Sequence, residues 1–528
     1  MVPSGPEWMD GAKRPITKVL VANRAEIACR VFRACREYGI ASVAVFSDAD
    51  EGALHVEMAD ESVLLEGDTL AKTYLNAEAI IAAAKSTDAD AIHPGYGFLS
   101  ERASFAAAVN DAGLIWIGPS VRAIEEMGDK ITARRVMAAA GVPIIPGEEI
   151  QMKDEHSDMV DDLVRAATRT GYPLLLKASA GGGGKGMRVV REPRYLQQEF
   201  EAASREAAAA FGDGTVYVER LLEKSRHIEI QILSDTHGNA VHVFERECSI
   251  QRRHQKVIEE APSPAMTAEL REAMGSAAIA AAKAVDYEGA GTVEFLLAED
   301  GSFHFLEMNT RLQVEHPISE CISGLDLVEQ QLRVAAGFPL SFTQDDLTIR
   351  GHAIEARIYA EDPTNGFLPA TGPLAMFRPP EGPGIRLDTG VREGDEASID
   401  FDPMLAKLVV HAADRAAAIR RMKRALQDFV LLGTTTNIGF LADVLSKDSF
   451  LAGETTTDFI EVNFPDGWHP GCLDSDEGEG IAMLAALAAG GAEHLGLHRR
   501  ATAGVAAEGE GGRGSPYNPF LLLRRNFP

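Results

Sequence analysis

At 528 residues the chain is too long for one ordinary domain and suggests three or four. A hydrophobic content of 45% with 25% charged residues gives ample core without any run that could span a membrane, since IAMLAALAA (481–489) is too short. A net charge of −28 gives long-range attraction the wrong sign for nucleic acid or an anionic membrane surface.

Residues 1–16 contain Glu7 and Asp10 and no apolar leader, so they are expected to be a short N-terminal extension of a cytoplasmic protein. Residues 17–46 read as strand (TKVLVA), turn, helix (IACRVFRACREYG) and strand (ASVAVF). AIHPGYGFLSE (91–101) and LIWIGPS (114–120) continue as strand ends entering Gly/Pro loops, which predicts a small doubly wound α/β domain over 17–130. ITARRVMAAAG (131–141) is a helix stopped by Gly141, and a strand-rich α+β block runs from there to 335. Within it, PLLLKASAGGGGKGMRVV (173–190) holds two strands around a glycine-rich loop. The β-branched MRVV rules out a dinucleotide-binding helix, and Met187 stands where a P-loop needs Ser or Thr. What remains is a hairpin lid whose N–H groups cover phosphates above Lys177. In RECSIQRRHQK (246–256), Arg246, Arg252, Arg253, His254 and Lys256 face a single glutamate in sequence, which is either an anion site or a solvated basic loop. Five scattered cysteines without CxxC spacing argue for a reducing compartment and against a disulfide frame or zinc site.

The most informative stretch is FLEMNTRLQVEHP (305–317). Glu307, Asn309, Arg311, Gln313 and Glu315 fall at every second position and share one face while the segment stays extended. The preceding runs flank Asp300-Gly301, read as a two-residue type I′ hairpin, and this register sets Glu294 opposite Glu307. Directly opposed Cβ atoms lie about 5 Å apart, so the two carboxylates repel unless one is protonated or a divalent cation lies between them. With Asn309 they make an all-oxygen set suited to Mg²⁺ and poor for Zn²⁺. Arg311 offers a fork for an oxyanion, and Glu315 a carboxylate that can act as base. Further on, AIEARIY (353–359) places Glu355, Arg357 and Tyr359 on one face, which an ordinary edge strand with a salt pair explains equally well. DRAAAIRRMKRALQDF (414–429) reads as a helix closing a block over 336–465, and 466–528, rich in Gly, Ala and acids, as a partly flexible tail.

These motifs together resemble the biotin carboxylase component of biotin-dependent carboxylases, an ATP-grasp enzyme. The likeness runs from about 17 to 462 through ANRAEIA, HPGYGFLSE, KASAGGGGKGMR, RHIEIQ, QRRHQK, FLEMNTRLQVEHP, GHAIEARIYAEDP, FLPATG and DPMLAKL. It implies a multidomain α/β and α+β architecture: an N-terminal doubly wound domain (17–130), an ATP-grasp domain with its lid (131–335), and a strand-rich C-terminal domain (336–465). It also implies chemistry in which ATP and bicarbonate give carboxyphosphate and N1′ of biotin is carboxylated. By resemblance, Lys130 and Lys177 hold phosphates under Gly183 and Gly184, and Glu219, Arg220, Leu221 and Leu222 line the adenine pocket. His227 and His254 contact the nucleotide, while Glu294, Glu307 and Asn309 ligate Mg²⁺ or Mn²⁺. Lys256, Arg311, Gln313 and the Val314 backbone hold bicarbonate, Glu315 is the base, and Arg357 stabilises the biotin enolate. The resemblance further implies a homo-oligomer that works with a biotin carboxyl carrier protein and a carboxyltransferase. Both are expected on separate chains, because no lysine follows Lys447 and Met422-Lys423 sits in a helical run. The acceptor is expected to be an acyl-CoA such as acetyl- or propionyl-CoA. A pyruvate carboxylase component, another carboxyphosphate-forming ligase and a non-catalytic assembly subunit are the alternatives. The chain departs from the family at Ala25 and Ala180, where Gly is usual, and at Phe401, where Tyr is frequent.

Overall fold

The structure is a computed structural model that describes residues 9–150, 156–178, 187–211, 214–253 and 255–470. Near-continuous apolar runs make the strands of the first sheet: β1 (Lys18–Val21), β2 (Ala41–Phe46), β3 (Glu61–Leu64), β4 (Ala91–His93) and β5 (Ile115–Trp116). They pair in parallel in the order β3-β2-β1-β4-β5, the doubly wound arrangement expected of this segment. Helices cover both faces, so both faces are apolar.

A four-stranded antiparallel sheet follows, ordered β6 (Gly147–Ile150), β9 (Val216–Arg220), β7 (Leu174–Ala178) and β8 (Arg188–Val190). β7 and β8 are the two strands expected around the glycine-rich loop, whose residues lie outside those described, Gly183 and Gly184 among them.

The largest sheet has eight strands, all antiparallel. Its order is β14 (Phe303–Asn309), β13 (Gly289–Leu297), β10 (Arg226–Ser234), β11 (Ala240–Arg252), β12 (Gln255–Ala261), β15 (His352–Tyr359), then the strands Met404–Ala412 and Ile385–Thr389. The last three come from beyond residue 335, so the C-terminal block finishes a sheet begun by the central one. β15 is not an edge strand: it is flanked on both sides and buried along its whole length. One face of this sheet packs apolar residues such as Ile230, Val293 and Phe295 against the helix Ala268–Ala284. The other face is lined with charge.

The opening hairpin reaches its expected register by a different route. Ala298 N–H donates to Ser302 O (2.8 Å) and Gly301 N–H to Ala298 O (3.0 Å), enclosing a three-residue loop in which Gly301 takes φ +83°. That is not the two-residue turn, and by itself it shifts the pairing by one residue. A bulge between Glu294 and Phe295 then restores it, and Glu294 stands opposite Glu307 after all.

Of the segment expected as a tail, residues 466–470 are described, and Trp468 Nε1 donates to Asp443 (2.7 Å). The remainder, 471–528, lies outside the described residues. Among the described residues no helix is long and apolar enough to cross a membrane.

Candidate active site

Side chains directly opposite on neighbouring strands share a face, and this builds a charged rung across the large sheet. Glu307, Glu294, Glu229 and Arg246 are successive ladder partners on β14, β13, β10 and β11. Arg246 is completely buried and uses all five N–H donors. They go to Glu229, Gln231 (2.7 Å), Ser319 (2.9 Å), Thr292 (3.0 Å) and Gln313 (3.1 Å).

Above this rung lies a cavity of about 780 Å³ between the two antiparallel sheets. Of the residues singled out in the sequence, Lys130, Lys177, Leu221, Leu222, His227, Lys256, Glu294, Glu307, Asn309, Arg311, Gln313, Val314, Glu315 and Arg357 line it. Glu219 does not. It sits behind Lys177, accepting from that ammonium (2.5 Å) and from Arg134 (2.6 Å), so it holds the lysine rather than facing a ligand. Arg220 points to solvent at the end of β9, and His254 lies outside the described residues.

At the metal-type end, Glu294 accepts from Lys256 (2.9 Å), Asn309 Nδ2 (2.8 Å) and Gln313 Nε2 (2.8 Å), with His227 Nε2 at 3.0 Å. Burial opposes its charge, but Lys256 and His227 hold its carboxyl well below the usual range. Glu307 opens into the cavity. Its surroundings and the repulsion of Glu294 raise its pKa against the pull of Lys130. Burial lowers the pKa of Lys130 in turn. Burial also works against the imidazolium of His227, yet the Glu294 carboxylate outweighs it and raises that pKa.

At the other end, β14 stops at Asn309, so the extended face does not continue to Glu315. Residues 310–315 turn instead, and Glu315 becomes the residue that caps the helix His316–Ser323. The turn brings the same residues to the cavity by folding back. Glu315 accepts from Lys256 (2.5 Å) on one oxygen and from Arg357 (2.9 Å) on the other. Burial raises its pKa, but Lys256, Arg357 and Arg246 prevail and keep it ionised well below the usual range. Arg311 donates to Glu101 (3.0 Å) and to Asn309 Oδ1 (3.1 Å), and Lys407 donates to the Val314 carbonyl (2.9 Å).

Among the described residues, two groups of side chains bring ligand atoms within 4.8 Å of one another: His227, Glu229 and Glu294, and Glu229, Cys248 and Glu315. Neither is an open metal cage, because the Lys256 ammonium already binds Glu229 (2.5 Å), Glu294 and Glu315 together. Glu101, Glu229, Glu259 and Lys407 are functional neighbours that sequence reading missed. For Glu229 a signal was present, since RHIEIQ alternates His227, Glu229 and Gln231 on one face. For Glu101, 210 residues from Arg311, there was none.

Comparison with known proteins gives the family of the chain. Residues 15–124 match the biotin carboxylase N-terminal domain, 129–343 the ATP-binding domain of the carbamoyl-phosphate synthase L chain, and 355–462 the biotin carboxylase C-terminal domain. A biotin carboxylase of Nostoc sp. is 50% identical over 446 residues, 84% of this chain and 98% of that protein. The mitochondrial methylcrotonoyl-CoA carboxylase subunit alpha of Rattus norvegicus is 49% identical over 453 residues, 85% of this chain; the match spans 62% of that subunit's length. The biotin carboxylase domain dimer of Hydrogenobacter thermophilus 2-oxoglutarate carboxylase, solved with MgADP, ADP and bicarbonate, superposes with a TM-score of 0.81 at 45% identity, covering 85% of this chain and 98% of that one.

Proposed function

Because the chain belongs to the biotin carboxylase family of ATP-grasp enzymes, we propose that it carboxylates carrier-borne biotin with bicarbonate and ATP, through carboxyphosphate, for an acyl-CoA carboxylase. The observation that carries this reading is the convergence of Lys256, Glu315 and Arg357 with the opposed pair Glu294 and Glu307 in one cavity.

The apolar pair Leu221 and Leu222 offers a wall for the adenine, and Lys130 and Lys177 neutralise phosphate charge. The opposed Glu294 and Glu307, with the amide oxygen of Asn309, fit a hard divalent cation: all donors are oxygen, and burial together with the facing Glu294 raises the pKa of Glu307, a penalty that a cation relieves. Bound there, Mg²⁺ or Mn²⁺ would supply positive charge against the transferring phosphoryl group. Arg311 offers its planar fork to bicarbonate beside Lys256, Gln313 and the Val314 backbone. Glu315, already ionised, takes the bicarbonate proton so that its oxygen can attack the terminal phosphoryl group. Arg357 faces the place where the ureido oxygen of biotin gains negative charge as N1′ is carboxylated.

Biotin is proposed to arrive on a separate carrier protein, with the carboxyltransferase also in trans. Supporting this, Lys423 of Met422-Lys423 lies within the helix Arg415–Asp428 rather than in an exposed turn. The acyl-CoA acceptor is supported by the likeness to the methylcrotonoyl-CoA carboxylase subunit. ATP hydrolysis by the purified chain should require bicarbonate and speed up with free biotin. A rate indifferent to removal of bicarbonate overturns the reading, and a biotinylated lysine found by mass spectrometry after co-expression with a biotin ligase overturns the carrier assignment.

A further inference from the structure

Behind Arg357 lie two acids that the scheme above does not use. Glu259 on β12 and Glu355 on β15 are direct ladder partners, so their side chains leave the sheet on the same face. Both are fully buried. Glu259 Oε1 accepts from Arg357 (Nε 2.6 Å); among the described residues its Oε2 has no hydrogen-bond partner, and neither carboxyl oxygen of Glu355 has one.

Three orphaned carboxyl oxygens on two facing side chains have a simple chemical reading. A buried, ionised carboxylate without a donor carries a desolvation cost that proteins avoid by neutralising the group. A neutral Glu355 has an O–H to donate, and Glu259 Oε2 is an acceptor without a donor on the adjoining strand. The charges around the pair allow only one proton to leave. Arg357 on β15 balances Glu259 and also bonds Glu315 at 2.9 Å. Lys256 on β12 is committed to Glu229, Glu294 and Glu315. Lys407, opposite Arg357 on the strand Met404–Ala412, donates to the Val314 carbonyl (2.9 Å) and lies 3.2 Å from Glu26. Facing the pair from β11 is Cys248; from the helix His316–Ser323 come His316 and Cys321; none supplies a positive charge, since burial holds His316 neutral, far below its ordinary pKa.

We propose that Glu259 and Glu355 share one proton across the β12–β15 ladder, and that Glu355 is a positioning residue: its O–H holds Glu259 as a singly charged acceptor that aims Arg357 into the cavity. Burial, helped by each acid's repulsion of its neighbours, pushes Glu259 up to about 7 and Glu355 well above the carboxylate range, in keeping with this. The role of Arg357 at biotin rests on the function proposed above; the shared proton does not.

The sign of the pH effect follows. Glu259 takes up a proton of its own only as pH falls below about 7, whereas the proton on Glu355, whose pKa is the higher, stays at neutral pH and departs only on the alkaline side. Two adjacent carboxylates then draw Arg357 away from Glu315, and biotin-dependent turnover falls on the alkaline side.

The test compares the full-length protein with its Glu355→Gln and Glu355→Leu variants. Infrared difference spectra at neutral pH between wild type and Glu355→Gln should show the loss of one protonated-carboxyl stretch. Absence of that band overturns the proposal, whether or not the protein carboxylates biotin. In Glu355→Gln an amide N–H replaces the acid O–H, so kcat with biotin should fall by less than about tenfold, the worth of one altered hydrogen bond, and the alkaline limb should vanish. Glu355→Leu removes the donor and should lower kcat by about 10- to 100-fold while KM for ATP stays the same. Equal losses in both variants with the alkaline limb retained show a purely structural role and overturn the positioning claim. If Glu355→Leu fails to fold, the infrared band and the Gln variant's pH profile still decide. A wild type without bicarbonate-dependent ATP hydrolysis refutes the functional reading instead, and leaves the infrared result to judge the shared proton.

Discussion

The central strands of the five-stranded parallel sheet and of the eight-stranded antiparallel sheet are both buried, yet they bury opposite chemistries. In the parallel sheet Leu20, Val43, Val45 and Ile92 point to one side and Val19, Val21 and Ala44 to the other, and within its strands Ser42 and His93 are the buried polar residues. In the antiparallel sheet, the face toward the helix His316–Ser323 holds Glu229, Arg246, Glu259, Glu294, Glu355, Arg357 and Lys407, all buried. Burying one ion without a partner costs several kcal/mol, so such a face folds only if each charge meets another in place. The charged face is therefore tightly determined and strongly coupled, while the apolar sheet is tolerant, because its contacts are many and individually small.

The largest expected effect lies at the cavity end of the charged face. Glu315→Gln should keep nucleotide affinity and lose turnover by about 10²–10⁴-fold, because it removes a base and leaves Glu294 and Glu307 in place. Nucleotide titration alongside ATP hydrolysis checks this, and lost nucleotide binding would assign Glu315 to the metal set. Next comes Arg246→Ala, which leaves Glu229 with Lys256 as its one cation and empties the centre of a buried network, and should destabilise the fold by about 3–5 kcal/mol in denaturant unfolding. An Ile92→Ala change in the parallel sheet should cost about 2–5 kcal/mol through its cavity alone, and should leave the pH dependence of stability unaltered.

His93, at the end of β4, sharpens the contrast. Burial lowers its pKa from 6.5 to about 4, so between those values the unfolded chain binds the extra proton. Its contribution is intact above pH 6.5 and is lost as pH falls toward 4, amounting to about 3 kcal/mol at most. Unfolding measured across that window should show a shallower slope in His93→Gln. The smallest effect is at Ala25, which opens the first helix, Ala25–Glu37, at φ +53°. An L-residue is strained there, and Ala25→Gly should raise stability by about 1 kcal/mol, read as an increase in Tm.

Periodicity alone carried much of the architecture. The β1-helix-β2 start was read at its observed place, as were the strands around the glycine-rich loop and the helix ending before Gly141, whose φ is +75°. Each depends on local spacing and on turn residues, which sequence displays directly. The opposition of Glu294 and Glu307 was also legible, although the turn assumed for it was wrong and a bulge made up the difference. A ladder partner is robust to such compensation, because the apolar alternation of both strands demands that register.

What only the tertiary structure decided were the partners of each charge. AIEARIY reads the same on an edge strand or in the middle of a sheet; its place beside β12 and the strand Met404–Ala412 is what buries Arg357 and sets it between Glu259 and Glu315. Glu101 reaches Arg311 across 210 residues, and Lys256 gathers three carboxylates from three separate segments. Alternation in a strand says which side chains share a face, because the backbone repeats every two residues. It says nothing of which strand lies alongside or what covers that face, and those two facts settle whether an acid is ionised, neutral or shared.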